Sequence, residues 1–371
     1  MGMIHWSKDE VGRRVGETFT IAVRASMDEE KAASNAQRAR EKYQGLPSDA
    51  LADILIKQAA RKTAVEGAAN GLGVSGCEVL VATPVPEPTH KAAAATGVVA
   101  LLLGDVAYTT RVQVQLLMEI AEVYHCPFEP DDEEDIWLVF KAALGLKGTE
   151  RVGSYGRFIF TETARKQFRK LLRTGIRRAV QERVMKIAGP RVAKYLGEKY
   201  VLRLVPVANI GIGYAFNSHM TKSVGKWAKV KAKVRASAFK QVKLIEAEQS
   251  AALVWVLPII FYVGTADDKM TENVLTLYSQ TNKRVPLKDE QLQRVEELID
   301  NEELSRIFAA ELPKISSEKS RKALYDVALT TAAVNLKPQK EHEVCLSELA
   351  ESLRVEYSRS DLKYKVRYFE R

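Results

Sequence analysis

Leu204 to Lys243 reads LVPVANIGIGYAFNSHMTKSVGKWAKVKAKVRASAFKQVK. Its first 18 residues, Leu204 to Thr221, are uncharged and dotted with glycine; Lys222 to Lys243 then hold eight basic residues and no acid. Read as a helix, the basic part has a basic face, an apolar face and two aromatics, Trp227 and Phe239. That combination suits a helix lying on anionic lipid. Gly211 and Ala215 stand four apart, as do Thr96, Ala100 and Gly104. Small residues at this spacing let two helix backbones approach closely, in a soluble bundle or in a membrane.

This stretch belongs to a larger basic block. Residues 136–245 carry 25 Lys/Arg against four Asp/Glu, a net +21, whereas residues 1–135 sum to −8 and residues 246–371 to −4. The overall +9 therefore hides one strongly basic segment between acidic flanks. A second basic run lies within it: Arg165, Arg169, Arg173 and Arg177 step every four residues beside the apolar stripe Phe168, Leu172, Ile176, Val180, Val184 and Ile187. Two such runs around one apolar stretch point to an anionic membrane surface, with Arg165, Arg169, Arg173, Arg177, Lys226, Lys229, Lys233 and Trp227 as the contact set. The same charge suits nucleic-acid phosphates, the less favoured partner. The bland alternative is a set of solvated faces answered by the acidic flanks of the same chain.

The rest of the chain also reads as helix. Leu51, Ile54, Leu55, Ala59 and Val65 recur at helical spacing, as do Val112, Leu116, Ile120 and Val123. Beyond Lys288, short amphipathic helices are expected over Glu290–Asp300, Leu304–Leu312, Glu318–Val334 and Lys340–Leu353. Glu78 to Val85 and Val355 to Phe369 are the strand candidates. GLGVSG, Gly71 to Gly76, matches the spacing of a dinucleotide-binding turn, but a helix precedes it and no helix-opening sequence follows; a helix-ending glycine turn is expected instead. Pro-rich TPVPEP, Thr83 to Pro88, marks a connector, and FEPDDEED, Phe128 to Asp135, an acidic turn before a helix.

Several classes are disfavoured. Cys77, Cys126 and Cys345 are scattered and odd in number, which suits a reducing compartment rather than a disulfide framework. The first residues lack the apolar core of a signal peptide, and Trp6 stands where a myristoylation signal needs Ser or Thr. Ala92 to Gly104, Leu204 to Thr221 and Ser250 to Ala266 are apolar but fall short of the roughly 20 residues of a spanning helix. They read as buried helices, with interfacial or partial insertion open to the first two. No zinc-protease motif, Cys-x-x-Cys or nucleophile elbow occurs. His342 and Cys345, with Glu341, make too few ligands for a metal site.

From about Ser48 to Lys243 the chain resembles the EcsC family. The pieces carrying the resemblance are KTAVEGAANGLG (Lys62 to Gly73), ATGVVALLLGDVAYTTRVQVQLLMEIAEVYH (Ala95 to His125) and RLVPVANIGIGYAFNSHMTKSVGKWA (Arg203 to Ala228). Asn209 stands where that pattern expects glycine, and EVYH replaces the usual Tyr-Gly. The resemblance implies a helical, membrane-associated domain.

About Glu246 to Asp361 resembles TerB-like helical domains of tellurite resistance and stress responses. Ala251 to Val274, with Ala266-Asp267-Asp268 and Glu272, is similar to their first repeat. Arg321 to Val355, with Val334-Asn335 and Glu341, is similar to the second. The resemblance implies a cation or partner site, of which Asp267, Asp268 and Glu272 remain.

The expectation is an all-α chain: an N-terminal extension over 1–47, a Gly/Ala-rich EcsC-like basic helical domain over 48–245 and a small TerB-like helical bundle over 246–371. Its expected role is non-enzymatic and needs no cofactor. It would be a cytoplasmic adaptor or sensor in envelope stress or defence, peripheral at the inner face of a membrane, with a protein partner on the TerB-like domain. The alternatives are a hydrolase built from Lys62, Asp105, Glu119 and Asn217, and a nucleic-acid binder.

Overall fold

The computed structural model describes residues 23, 26–82, 88–129, 135, 138–139, 158–159, 209–267, 269–301 and 303–370. Among these the chain is all-α. The helices are α1 (Glu29–Lys42), α2 (Ser48–Ala82), α3 (Pro88–Val123), α4 (Asn209–Gln249), α5 (Val256–Gly264), α6 (Glu272–Arg284), α7 (Asp289–Asp300), α8 (Leu304–Glu311), α9 (Glu318–Val334), α10 (Lys340–Leu353) and α11 (Arg359–Glu370). The extended residues are a two-residue antiparallel pair, β1 (Phe158–Ile159) and β2 (Lys269–Met270), with Phe158 opposite Met270. Described residues up to 139 and from 209 to 229 form one compact unit; 158–159 and 230–370 form a second. The sequence placed the boundary at 245, near the change of charge sign. The division falls instead at Lys229/Val230, inside α4.

In the first unit, α1 starts at Asp28, whose carboxylate accepts from the Lys31 N–H at 2.9 Å. Glu29 and Glu30 open the helix and Arg40 and Lys42 close it, the order its dipole favours. It buries only alanines, Ala32, Ala36 and Ala39, and packs on α3. The chain end of α3 is tied down from two sides. Arg40 Nη2 donates to the Glu122 carbonyl (2.7 Å), and Ser48 Oγ to that of Val123 (3.1 Å). His125 turns left-handed (φ 56°), so the Cys126 N–H reaches back to the Ala121 carbonyl and the His125 N–H to that of Glu122, closing the helix. Tyr124 donates to Asp49 at the start of α2, so α2 and α3 run antiparallel. Close approach of α4 to α2 needs Gly225: a Cβ there would lie 2.5 Å from Ile56 Cγ1.

The second unit is built on α5 and α9. Every residue of α5 except Tyr262 is buried, and α9 buries almost everything from Ala323 to Val334. α6, α7 and α10 pack on α5, and α11 on α9. A Cβ at Gly264 would meet Val274 Cγ1 at 2.5 Å, so glycine lets α5 seat against α6. One 18-residue window within Asn217–Gly264 reaches a mean hydropathy of 1.5, half of it buried. Its path is interrupted by the 3-10 turn Ser250–Trp255, and α5 beyond that turn is core.

Three local expectations are corrected. Glu78 to Ala82 is the end of α2, not a strand. Arg359–Glu370 is a helix that buries Leu362 and Phe369, seven apart, so its apparent alternation had the wrong period. GLGVSG does not end a helix either, because α2 runs through it to Ala82. Glycine lowers helix propensity by about 1 kcal/mol relative to alanine but does not forbid the conformation.

Candidate functional site

In the first unit α2, α3 and α4 meet along a buried polar seam. Asn217 Nδ2 donates to Asp105 Oδ1 at 2.9 Å, both side chains fully buried. Thr63 Oγ1 lies 2.8 Å from Thr221 Oγ1 and 3.3 Å from the Asn217 carbonyl, and Gln113 Nε2 donates to Thr221 Oγ1 at 3.3 Å. Asp105, Thr109 and Gln113 step every four residues on α3, as Asn217 and Thr221 do on α4, so each helix turns one polar stripe inward. The Thr109 hydroxyl is buried with no hydrogen-bond partner among the described residues. Burying polar groups is costly unless they find partners, and most of the seam's groups find theirs across the three helices. The sequence singled out Asp105 and Asn217 but not Thr63, Gln113 or Thr221. The signal was there: polar residues four apart within otherwise apolar stretches.

Two turns further along α3, Glu119 accepts from Asn35 Nδ2 of α1 at 2.6 Å. Burial pushes its carboxyl above the usual range, and the amide dipoles of Asn35 and Gln115 and the charges of Lys62 and Lys31 only partly oppose this. Among the described residues Gln115 Nε2 makes no hydrogen bond, so its contribution is that of a nearby dipole. Of the four residues of the hydrolase alternative, the structure joins Asp105 to Asn217 and puts Lys62, itself exposed, within electrostatic reach of Glu119.

The basic residues of α4 meet different fates. Lys226 and Lys222 are exposed and Trp227 is half-buried. Lys229 is buried and pairs with Asp53 of α2 at 2.9 Å. In the second unit, Lys231 is held by Asn273 Oδ1 (2.8 Å), Thr276 Oγ1 (3.2 Å) and Glu272 Oε1 (3.2 Å). Lys233 donates to the Tyr368 carbonyl at 2.6 Å and sits 4.5 Å from that ring's centroid. Arg235 is fully buried too. Ammonium groups are taken out of water only where oxygens replace it, and here the same chain supplies them. Arg165, Arg169, Arg173 and Arg177 lie outside the described residues.

Of the acidic set, Asp267 is half-buried, Glu272 is engaged by Lys231, and Asp268 lies outside the described residues. Among the described residues no three His, Cys, Asp or Glu side chains gather as a metal site. The turn after α9 packs beside this region. Thr271 Oγ1 donates to Asn335 Oδ1 (2.6 Å), and Asn273 Nδ2 to the Val334 carbonyl (2.9 Å). His342, buried, accepts the Gln339 N–H at Nδ1 (3.1 Å) and meets the Asn335 amide at Nε2 (2.8 Å). Burial lowers its pKa against the opposing charges of Asp267 and Glu341. Cys345 is a buried thiol pushed up to about 11, so it is no nucleophile at neutral pH.

The remaining charge of the first unit has a direction. Arg61, Lys62, Arg111 and Lys222, each within two residues of a seam residue, are all exposed. The nearest carboxylate to them on α2, Glu66, is half-buried. The exposed acids Asp28, Glu29, Glu30, Glu41 and Asp53 lie toward the α1 end, interspersed with exposed Lys31, Arg38, Lys42 and Lys57. On the other side of the seam exposed side chains turn apolar, Val65 being 66% exposed and Tyr214 49%, and at the level of the seam Tyr108 is 36% exposed. Val65 therefore does not share the buried stripe of Leu51, Leu55 and Ala59 that its spacing suggests.

No known family matches this chain, and neither a curated protein nor a solved structure matches it.

Proposed function

We propose that the chain is a non-enzymatic protein that docks on an anionic membrane surface through its first unit, as an adaptor or sensor whose second unit serves a protein partner. The observation that carries this reading is the collar of exposed Arg61, Lys62, Arg111, Lys222 and Lys226 on α2, α3 and α4, near which Glu66 is half-buried and Asp105 is buried. Each basic residue near an anionic surface contributes about 1 kcal/mol. The resemblance to EcsC and TerB-like domains is consistent with a cytoplasmic place at the inner face of a membrane and with a role in envelope stress.

The test is flotation with vesicles containing anionic lipid. Binding at low salt should fall as salt rises. Lys222→Gln with Lys226→Gln should weaken partitioning by about 30-fold, the product of two contributions of that size; Arg169→Glu with Arg173→Glu should also weaken it. A chain that stays with the soluble fraction at low salt, yet shifts nucleic-acid mobility with a steep salt slope, would support the nucleic-acid reading instead.

A further inference from the structure

Along the axes of α2, α3 and α4, the seam marks one level: Thr63 bonds to Asn217 and Thr221, and Asn217 to Asp105. On one side of it the exposed residues are cationic. On the other, within about one turn, Val65, Tyr214, Gly104 and Ala215 are exposed, and Tyr108 is exposed at the level of the seam itself. Three helices thus leave apolar and small residues open to solvent at the same height, beside a ring of positive charge. A soluble domain exposes apolar residues singly; a contiguous group rimmed by charge marks an interaction surface.

The chain beyond this band stays apolar. Positions 67–82 of α2 contain one ionised residue, Glu78, and positions 88–104 of α3 contain Lys91. At 1.5 Å per residue each helix runs about 25 Å past the band, short of the roughly 30 Å of a bilayer's hydrocarbon core. Apolar helices of this length fall short of crossing a bilayer.

We infer that the band of Val65, Gly104, Tyr108, Tyr214 and Ala215 contacts the acyl chains of the leaflet whose anionic headgroups the Arg61, Lys62, Arg111, Lys222 and Lys226 collar holds. This rests on the membrane reading above and adds to it a surface, an orientation and a depth. Charge complementarity selects the occupant: cations set directly beside an apolar band match the order of headgroup and acyl chain. Tyr108 and Tyr214 stand where amphipathic rings favour the boundary between the two.

Probe accessibility tests it. In a Cys77→Ala background, in which Cys126 and Cys345 are buried, Val65→Cys and Gly104→Cys each carry an environment-sensitive fluorophore. A Cβ at Gly104 meets nothing within 4 Å, so that position accepts a side chain without repacking. Tyr364→Cys is the control, 75% exposed but in the second unit. With anionic vesicles, the probes at 65 and 104 should shift to the blue and be quenched by nitroxides on the acyl chains, and the probe at 364 should not. Val65→Glu with Gly104→Glu should lower partitioning about tenfold or more with unchanged circular dichroism. Protein that floats while both probes remain in water overturns this surface and leaves the docking reading standing; protein that does not float overturns both. A blue shift without vesicles, accompanied by dimer formation, assigns the band to a second copy of the chain and overturns the inference.

Discussion

Replacing Glu272 with alanine removes an anionic partner from the buried Lys231 ammonium, whose neutral acceptors include Asn273 and Thr276. The lysine side chain is 2% exposed and that of Glu272 is 21% exposed. Removing one partner of a buried pair costs about 3–5 kcal/mol. Asn273 and Thr276 still face Nζ at 2.8 and 3.2 Å, so the lower end applies, about 3 kcal/mol. Lys231→Met removes the charge itself. Glu272 then turns to the water it already touches, Asn273 keeps its bond to the Val334 carbonyl, and the cost falls to about 1 kcal/mol. The two changes together should cost little more than Lys231→Met alone. For a domain of this size, 1 kcal/mol corresponds to roughly 2–4 °C in Tm. Thermal unfolding followed by circular dichroism should therefore show a drop of about 6–12 °C for Glu272→Ala and about 2–4 °C for Lys231→Met. If Lys231→Met is the more damaging, or the two costs simply add, the ammonium is not the desolvated group that the internal-neutralisation argument needs.

Two further outcomes are expected. His342 has a depressed folded pKa, so below the ordinary histidine value the unfolded chain takes up a proton that the folded one excludes, and stability is lost as pH falls through that window. A proton on Nδ1 also removes the acceptor of the Gln339 N–H. The urea midpoint of the second unit should therefore drop from pH 7.5 to 5.5 in the wild type and much less in His342→Gln; equal slopes would contradict this. Gly225→Ala would force a Cβ to within 2.5 Å of Ile56 Cγ1 and should cost about 1–3 kcal/mol, with the clash relieved by Ile56→Ala, which removes that carbon. Gly104→Ala meets nothing within 4 Å and should raise Tm in the absence of lipid through its better helix propensity; the reverse order of the two glycines in a melting series would be evidence against the packing described.

Much of the helical fold was legible because amphipathic period and capping agree. Glu318–Val334 and Lys340–Leu353 were read with the bounds the structure gives; Ser317 caps the first, accepting from the Ser320 N–H. The two segments misread as strands have one cause: short apolar windows carry both periods. Residues 355–369 alternate over a few positions, but only the spacing of Leu362 and Phe369 reports the buried stripe. The fate of the lysines was not legible. Lys226 and Lys229 differ by one helical turn, and only the position of Asp53, 176 residues away in sequence, decides that one is exposed and the other buried. Composition sums charge over a segment, whereas burial divides it residue by residue. The acidic flanks noted in the sequence do supply partners: Asp53 for Lys229 and Glu272 for Lys231.

The claim that the outward charge of the first unit meets a membrane is tested most directly by co-flotation of the intact chain with anionic vesicles, alongside a matched nucleic-acid titration at the same salt concentrations. The account predicts vesicle binding at low salt that weakens as salt rises and is reduced by Lys222→Gln with Lys226→Gln. Absence of binding to anionic vesicles at low salt would contradict it.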